Sequence, residues 1–295
     1  SKINFSGNTT GNIDNYGTVF YLKPVNTPSS ITDTTNFNTT ASILPAFTAM
    51  INNYFSNLNN LTLNMNDKSN MVVTSYISGN VSDLTFDDTT AFGGAGRPTI
   101  NGDYKAFLLD KSNITVDVDS DLDTTSTGPA AAYRRIALSN STITNNKKIS
   151  GTQSGLVAMA QQDETNNGWV TLTNNSGASI ELTGDKSVAI YGSNGKIVNA
   201  GNIKVGDKGV AIFGDNAGYG DSDISNTGTI TIGSEATGIY AKNYTTKDVK
   251  NNGIITINGS KSSGMAFAPG NLTGTTTVFE NVGTIQDKNS GSNNT

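Results

Sequence analysis

The chain contains no cysteine and no histidine. Those absences remove disulfides, the Ser-His-Asp and Cys-His nucleophile systems, a histidine general base and the common zinc ligand sets. Proline is scarce, at 6 of 295 residues, tryptophan occurs once, and charged residues make up only 15%. No apolar run reaches the roughly 18 residues that a membrane-spanning helix needs. A net charge of −5 argues against duplex nucleic acid or an anionic membrane as the main partner, because both attract basic patches. The opening Ser1-Lys2-Ile3-Asn4-Phe5 lacks the pattern of a signal peptide and reads as a mature or trimmed start.

Glycine is abundant, at 32 residues, and Asn, Thr and Ser are spread along the whole chain. Low charge with many β-branched residues separates this composition from that of a disordered chain. It suits short strands joined by tight turns, so the sequence predicts an all-β protein.

The second half repeats itself. Asn-x-Gly followed by a short alternating strand begins at Asn175, Asn199, Asn226, Asn251 and Asn281, with successive glycines 24, 27, 25 and 30 residues apart. Ile203, Ile230, Ile255 and Ile285 stand two residues after the glycine, and the copy at Ile180 is displaced by one. A second strand follows in the first four copies and carries an aromatic at Tyr191, Phe213, Tyr240 and Phe267. A weaker copy starts at Asn145, with Lys147 in the place of the glycine.

This period with elastic loop lengths predicts a right-handed parallel β-helix, in which like strands of successive coils pair about 4.8 Å apart. Alternating Ile and Val would fill the interior, while Lys204, Thr229, Thr231 and Thr256 face outward. The glycine is expected to supply a positive φ at the corner, and the asparagine to satisfy turn amides or stack as a ladder. A β-sandwich leaves the repeated Asn-x-Gly unexplained. A leucine-rich repeat lacks its consensus here, and a propeller blade needs more strands per copy.

Three regions follow: irregular coils over 1–140, regular repeats over 141–285, and a polar linker or truncated coil over 286–295. Within the first, Ile43, Phe47, Met50, Ile51, Tyr54, Phe55 and Leu58 recur at helical spacing. They predict one amphipathic helix near 41–58, packed on the solenoid as an insertion or covering its first coil.

Residues that could carry chemistry are few. Asp117, Asp119, Asp121 and Asp123 alternate and could offer oxygen ligands to Ca²⁺, as could Asp215, Asp221 and Asp223 in a glycine-rich loop, although no complete calcium motif is present. A solvated loop is the competing reading of both. Asp87-Asp88 and Arg134-Arg135 are the nearest candidates for polysaccharide cleavage, yet neighbours on a strand face opposite sides. Trp169 could stack on a sugar or anchor a strand. The repeated aromatics read as a stacked row rather than a ligand platform. The candidate binding residues are Tyr54, Arg97, Asp119, Asp121, Arg134, Trp169 and Tyr219, in the region 24–60 and the loops near 92–103, 119–130 and 214–223.

The motif running from Asn226 to Ala241 resembles repeats in passenger regions of giant autotransporters, and is similar above all to RadD-like outer-membrane adhesins. The likeness covers 145–285 well and 1–140 poorly. It implies an exported passenger at the cell surface, anchored in the outer membrane by a C-terminal β-barrel outside this sequence. It also implies receptors or glycans on partner bacteria or host cells as ligands. The expectation is an adhesin fragment with no catalytic role and no required cofactor. A polysaccharide-degrading β-helix enzyme and a purely structural stalk are the alternatives.

Overall fold

The computed structural model describes residues 1–15, 17–22, 43–66, 69–75, 78–81, 91–102, 104–110, 113–117, 119–123, 135–137, 141–161, 170–215, 222–244, 249–268, 279–289 and 293–295. Alternating apolar and polar residues form short strands, and every described strand pair is parallel. The strands stack into three long faces of a β-helix, as the repeat predicts. The first face holds eight strands, from Ser78–Val81 to Phe279–Asn281. The second holds seven, from Ser120–Asp121 to Thr284–Asp287, and the third holds nine, from Thr18–Leu22 to Ser263–Ala268.

Among the described residues, only the third face runs unbroken from the first coil to Ser263–Ala268. At the N-terminal end Ile3–Asn4 pairs with Phe55–Ser56, and Thr9–Asn12, Leu61–Asn64 and Thr99–Asn101 form a separate three-stranded sheet. Two faces are therefore interrupted among the described residues while the third stays continuous.

Inside, like residues lie on like residues. Ile180, Ile203, Ile230 and Ile255 are in register on the second face and buried. Ile143, Leu172, Ile197, Ile224 and Val249 do the same on the first. Each such side chain contributes roughly 1.5–3 kcal/mol of hydrophobic burial, and a coil gains most of it from its neighbours. Of the residues expected to face outward, Thr256 is buried and its Oγ1 accepts from Gln286 Nε2 at 2.8 Å.

The asparagines make a continuous amide ladder. Each Nδ2 donates to the Oδ1 of the next coil: Asn145 to Asn174 at 2.9 Å, then to Asn199 at 2.8 Å and Asn226 at 2.7 Å. Asn226 to Asn251 and Asn251 to Asn281 follow, both at 2.6 Å. Asn145, Asn174, Asn199, Asn226 and Asn251 are fully buried, so each amide needs its neighbour. A shorter ladder joins Asn12, Asn64 and Asn101.

Three sequence expectations need correction. The ladder residue of the first strong copy is Asn174, which pairs with Asn199, rather than Asn175. The displacement of Ile180 is a longer turn over 175–178, because Ile180 and Ile203 are in register. Of the repeated glycines, Gly177 in the longer turn has the expected positive φ, at 83°, but Gly201, Gly228, Gly253 and Gly283 do not. They are required because a Cβ on Gly228 would run into the Gly201 carbonyl oxygen, and one on Gly253 into that of Gly228. The left-handed residues sit at the next corner instead, where Lys186, Lys208, Glu235 and Lys261 have φ of 58°, 57°, 53° and 56°.

The helix α1 spans Ile43–Tyr54 and ends earlier than the periodicity suggests. Phe55 and Ser56 are drawn into a strand by pairing with Ile3 and Asn4. Phe47 and Ile51 are fully buried. Phe47 meets Phe20 at 5.2 Å and Phe92 at 5.7 Å, both edge-on, a favoured aromatic geometry. Asn52 Oδ1 accepts from Ala95 N at 3.0 Å, so α1 is packed and tied to the solenoid.

Candidate functional site

The three corners of the coil behave differently. Over 141–287 the first-to-second corner is two residues long, except for 175–178. The second-to-third corner is four or five residues, as in 206–209 and 152–156. The third-to-first corner varies from 193–194 through 243–248, 216–222 and 162–169 to 269–278. The connection 23–54, which carries α1, joins the first third-face strand to Phe55–Ser56 and so lies at the same place in coil order. Length varies most at the third-to-first corner, and each extra residue in a connection adds little closure entropy.

On the third face beside this corner, Tyr191, Phe213 and Tyr240 stand in register, half-buried, with ring centroids 5.2 and 5.0 Å apart. Ala160 and Ala266 hold the positions at the two ends of this row. The rings face one another at tilts of 33° and 36°, so their faces are used in mutual stacking. Phe267 does not join the row: it pairs with Ala241, one residue out of step, and its ring lies 4.0 Å from that of Phe279.

Next to the row, the Asp215 carboxylate accepts from Lys242 Nζ at 2.9 Å and from Asn243 Nδ2 at 2.8 Å. Asp215 is thus held by the following coil rather than free for a cation. Tyr244 is buried beneath this corner, in space that only a glycine at 214 leaves open. Burial, followed by the charges of Asp223 and Asp215, holds its hydroxyl far above the usual tyrosine range. Gln161, also buried, accepts from Ser193 N at 3.0 Å and Asn194 N at 2.7 Å and closes the shortest connection. The sequence reading missed Tyr244 and Gln161. Glycine at 214, near the end of a third-face strand, was the available signal for Tyr244.

The acidic run 117–123 is not an oxygen cage. Asp117 Oδ1 accepts from Asn146 Nδ2 at 2.9 Å and Asp119 Oδ1 from Lys148 N at 3.0 Å. Asp121 Oδ1 accepts from Asp123 N at 3.0 Å. Asp123 accepts from Thr152 N at 2.7 Å, Thr152 Oγ1 at 2.6 Å and Gln153 N at 2.9 Å. The Asp117, Asp119 and Asp123 carboxylates thus tie one coil to the next, while that of Asp121 closes a local turn. Among the described residues no group of three or more carboxylates is placed to hold a metal ion. Asp221, like Asp87 and Asp88, lies outside the described residues.

Burial pushes the Asp123 carboxyl up, but the Thr152 and Gln153 hydrogen bonds outweigh it and bring it below its ordinary value of 3.8. A lowered folded-state pKa gives stability that is present above the ordinary value and lost as pH falls through the lowered one. Asp123→Asn is expected to lose this dependence. Melting curves taken from about pH 6 to about pH 3 should therefore fall less steeply for the variant than for the parent chain.

The described candidate binding residues, Tyr54, Arg97, Asp119 and Asp121, do not converge. Tyr54 is exposed at the end of α1, in the third-to-first connection, whereas Arg97 is half-buried just before Thr99–Asn101. Asp119 and Asp121 lie at the start of the second face. Arg134, Trp169 and Tyr219 lie outside the described residues. By chain position, however, residues 169 and 219 fall within the connections 162–169 and 216–222 of the same corner as Tyr54. The expected loop at 92–103 is partly regular structure, since Thr99–Asn101 pairs with Leu61–Asn64. Likewise Ser120–Asp121, in the expected loop 119–130, pairs with Lys148–Gly151. Among the described residues no helix is long and apolar enough to cross a membrane.

A family model described as the BigA third pectate lyase-like domain matches residues 35–291. No curated protein and no solved structure matches the chain. The family match agrees with a parallel β-helix and with a passenger segment of an adhesin, but it gives no support to the RadD-like family in particular.

Proposed function

The chain belongs to the family of the BigA third pectate lyase-like domain, and on that premise we propose that it is a non-catalytic adhesive segment of an exported cell-surface passenger. Its binding surface is the third-to-first corner, and its ligands are receptors or glycans on other cells. The observation that carries this reading is the concentration of length variation at one corner, from two residues at 193–194 to ten at 269–278. A rigid stack that fixes two corners and frees the third is a scaffold for presented loops. Tyr54 and positions 169 and 219 fall in those connections, which adds aromatic side chains suited to recognition. The likeness to RadD-like adhesins enters only as a comparison of architecture.

The absence of histidine and cysteine and the engagement of Asp117, Asp119, Asp123 and Asp215 in hydrogen bonds between coils favour binding over catalysis. The test is to replace residues 162–169 and 216–221 each by a two-residue connection like that at 193–194, keeping Ser222, whose Oγ holds Gly195 N. Binding to a glycan array and to partner cells should fall by about tenfold or more, roughly 1.4 kcal/mol, while the melting temperature changes little. Unchanged binding would move the site elsewhere on the solenoid. Polysaccharide cleavage by the parent chain would replace the adhesive reading with an enzymatic one.

A further inference from the structure

Four Asn-Gly pairs fall among the described residues: Asn101-Gly102, Asn194-Gly195, Asn252-Gly253 and Asn258-Gly259. A fifth, Asn167-Gly168, lies outside them. In such a pair the glycine nitrogen can attack the asparagine Cγ, because no side chain hinders its approach. The C–N bond closes a five-membered imide, and the side-chain nitrogen leaves as ammonia with the proton from the glycine nitrogen. Water then opens either imide carbonyl, giving aspartate or isoaspartate. The solenoid sets the four pairs apart by what holds their reacting atoms.

Asn194 is buried, and Gly195 N donates to Ser222 Oγ at 2.9 Å. Asn252 is exposed, but Gly253 N donates to the Asn251 Oδ1 of the amide ladder at 3.3 Å. Asn101 is held by its side chain, whose Nδ2 donates to Asn64 Oδ1 at 2.9 Å. Asn258 is different. It is exposed, and although Gly259, like Gly253, packs on the backbone of the preceding coil, neither the Asn258 side-chain amide nor Gly259 N has a hydrogen-bond partner among the described residues. Only its own backbone nitrogen is engaged, donating to Ile232 O at 3.0 Å.

We propose that Asn258 is a site of spontaneous intramolecular deamidation, protected far less than the other three Asn-Gly pairs. Either product places a carboxylate at the second-to-third corner, and isoaspartate also lengthens the backbone between Ile254–Ile257 and Ser263–Ala268. That added length works against the pairing of Ser263 N with Ala236 O at 3.0 Å, so the modification would loosen one coil from the next.

The full chain, incubated folded at mildly alkaline pH, is digested and its peptides are mapped by mass spectrometry. The Asn258 peptide should convert several-fold faster than those holding Asn101, Asn194 and Asn252, and the difference should vanish when the chain is incubated unfolded in denaturant. Equal rates in the folded chain, or an Asn258 that stays intact while the unfolded control reacts, would overturn the proposal. In Asn258→Ser the fast-appearing product should be missing, with the other peptides unchanged. If it persists, the assignment to Asn258 is wrong.

Discussion

Replacing Asn199 by alanine is expected to destabilise the chain by about 3–5 kcal/mol, because it opens the amide ladder at a buried rung. Asn199 is fully buried, accepts from Asn174 at 2.8 Å and donates to Asn226 at 2.7 Å. Alanine leaves a donor on Asn174 and an acceptor on Asn226 without partners, at roughly 1–3 kcal/mol each, and adds a cavity. Denaturant unfolding followed by circular dichroism measures the loss as a lower midpoint. Asn199→Asp should do at least as much harm at neutral pH, since a buried carboxylate oxygen then faces Asn226 Oδ1. Part of the loss should return on acidification, when the protonated acid can donate. A shift of under about 1 kcal/mol for alanine would mean that water or relaxation replaces the rung, and the ladder would not be a main source of stability.

The second large effect is steric. Gly228→Ala should cost about 3 kcal/mol or more, because the added methyl meets backbone that cannot swing aside. Its Cβ would run into Gly201 O and lie 2.8 Å from Ala200 C and 2.9 Å from Gly201 C. Relief requires parting two coils, and that strains the bonds from Thr229 N to Gly201 O at 3.0 Å and from Gly228 N to Asn199 O at 3.1 Å. Thr227→Ala, next door and exposed, is the control and should be nearly neutral. Similar midpoints for the two variants would show that the coils separate easily and that the glycine column is not under close contact.

These two substitutions also show where sequence reading reached its limit. The Asn-x-Gly motif was visible, and both a ladder and a tight corner could be expected from it. The cause of the glycine was not visible, because a positive φ and a close approach select the same residue. Only the stacking of Gly201, Gly228, Gly253 and Gly283 in space decides between them. The register of the first strong copy failed for a similar reason. Asn174 and Asn175 are adjacent asparagines, and the choice between them rests on pairing with Asn145 and Asn199.

The candidate site was less legible than the fold. Periodicity identified Tyr191, Phe213 and Tyr240 as a row, since a repeat places equivalent residues above one another. It also placed Phe267 there wrongly, because a one-residue slip is invisible without pairing. The alternating aspartates looked like cation ligands in isolation. Asp117, Asp119 and Asp123 accept from Asn146, Lys148, Thr152 and Gln153 of the next coil, partners about 30 residues away that no local pattern indicates.

By itself the sequence determined the all-β class, the coil as the repeating unit, the inward isoleucines and the chemistry that missing histidine and cysteine forbid. Those follow from residue type and period alone, which are properties of a line. The tertiary structure decided which asparagine joins the ladder, why the glycines are needed, and that the long connections gather at one corner. Those depend on what each coil meets in the coils on either side, and that exists only once the chain is wound.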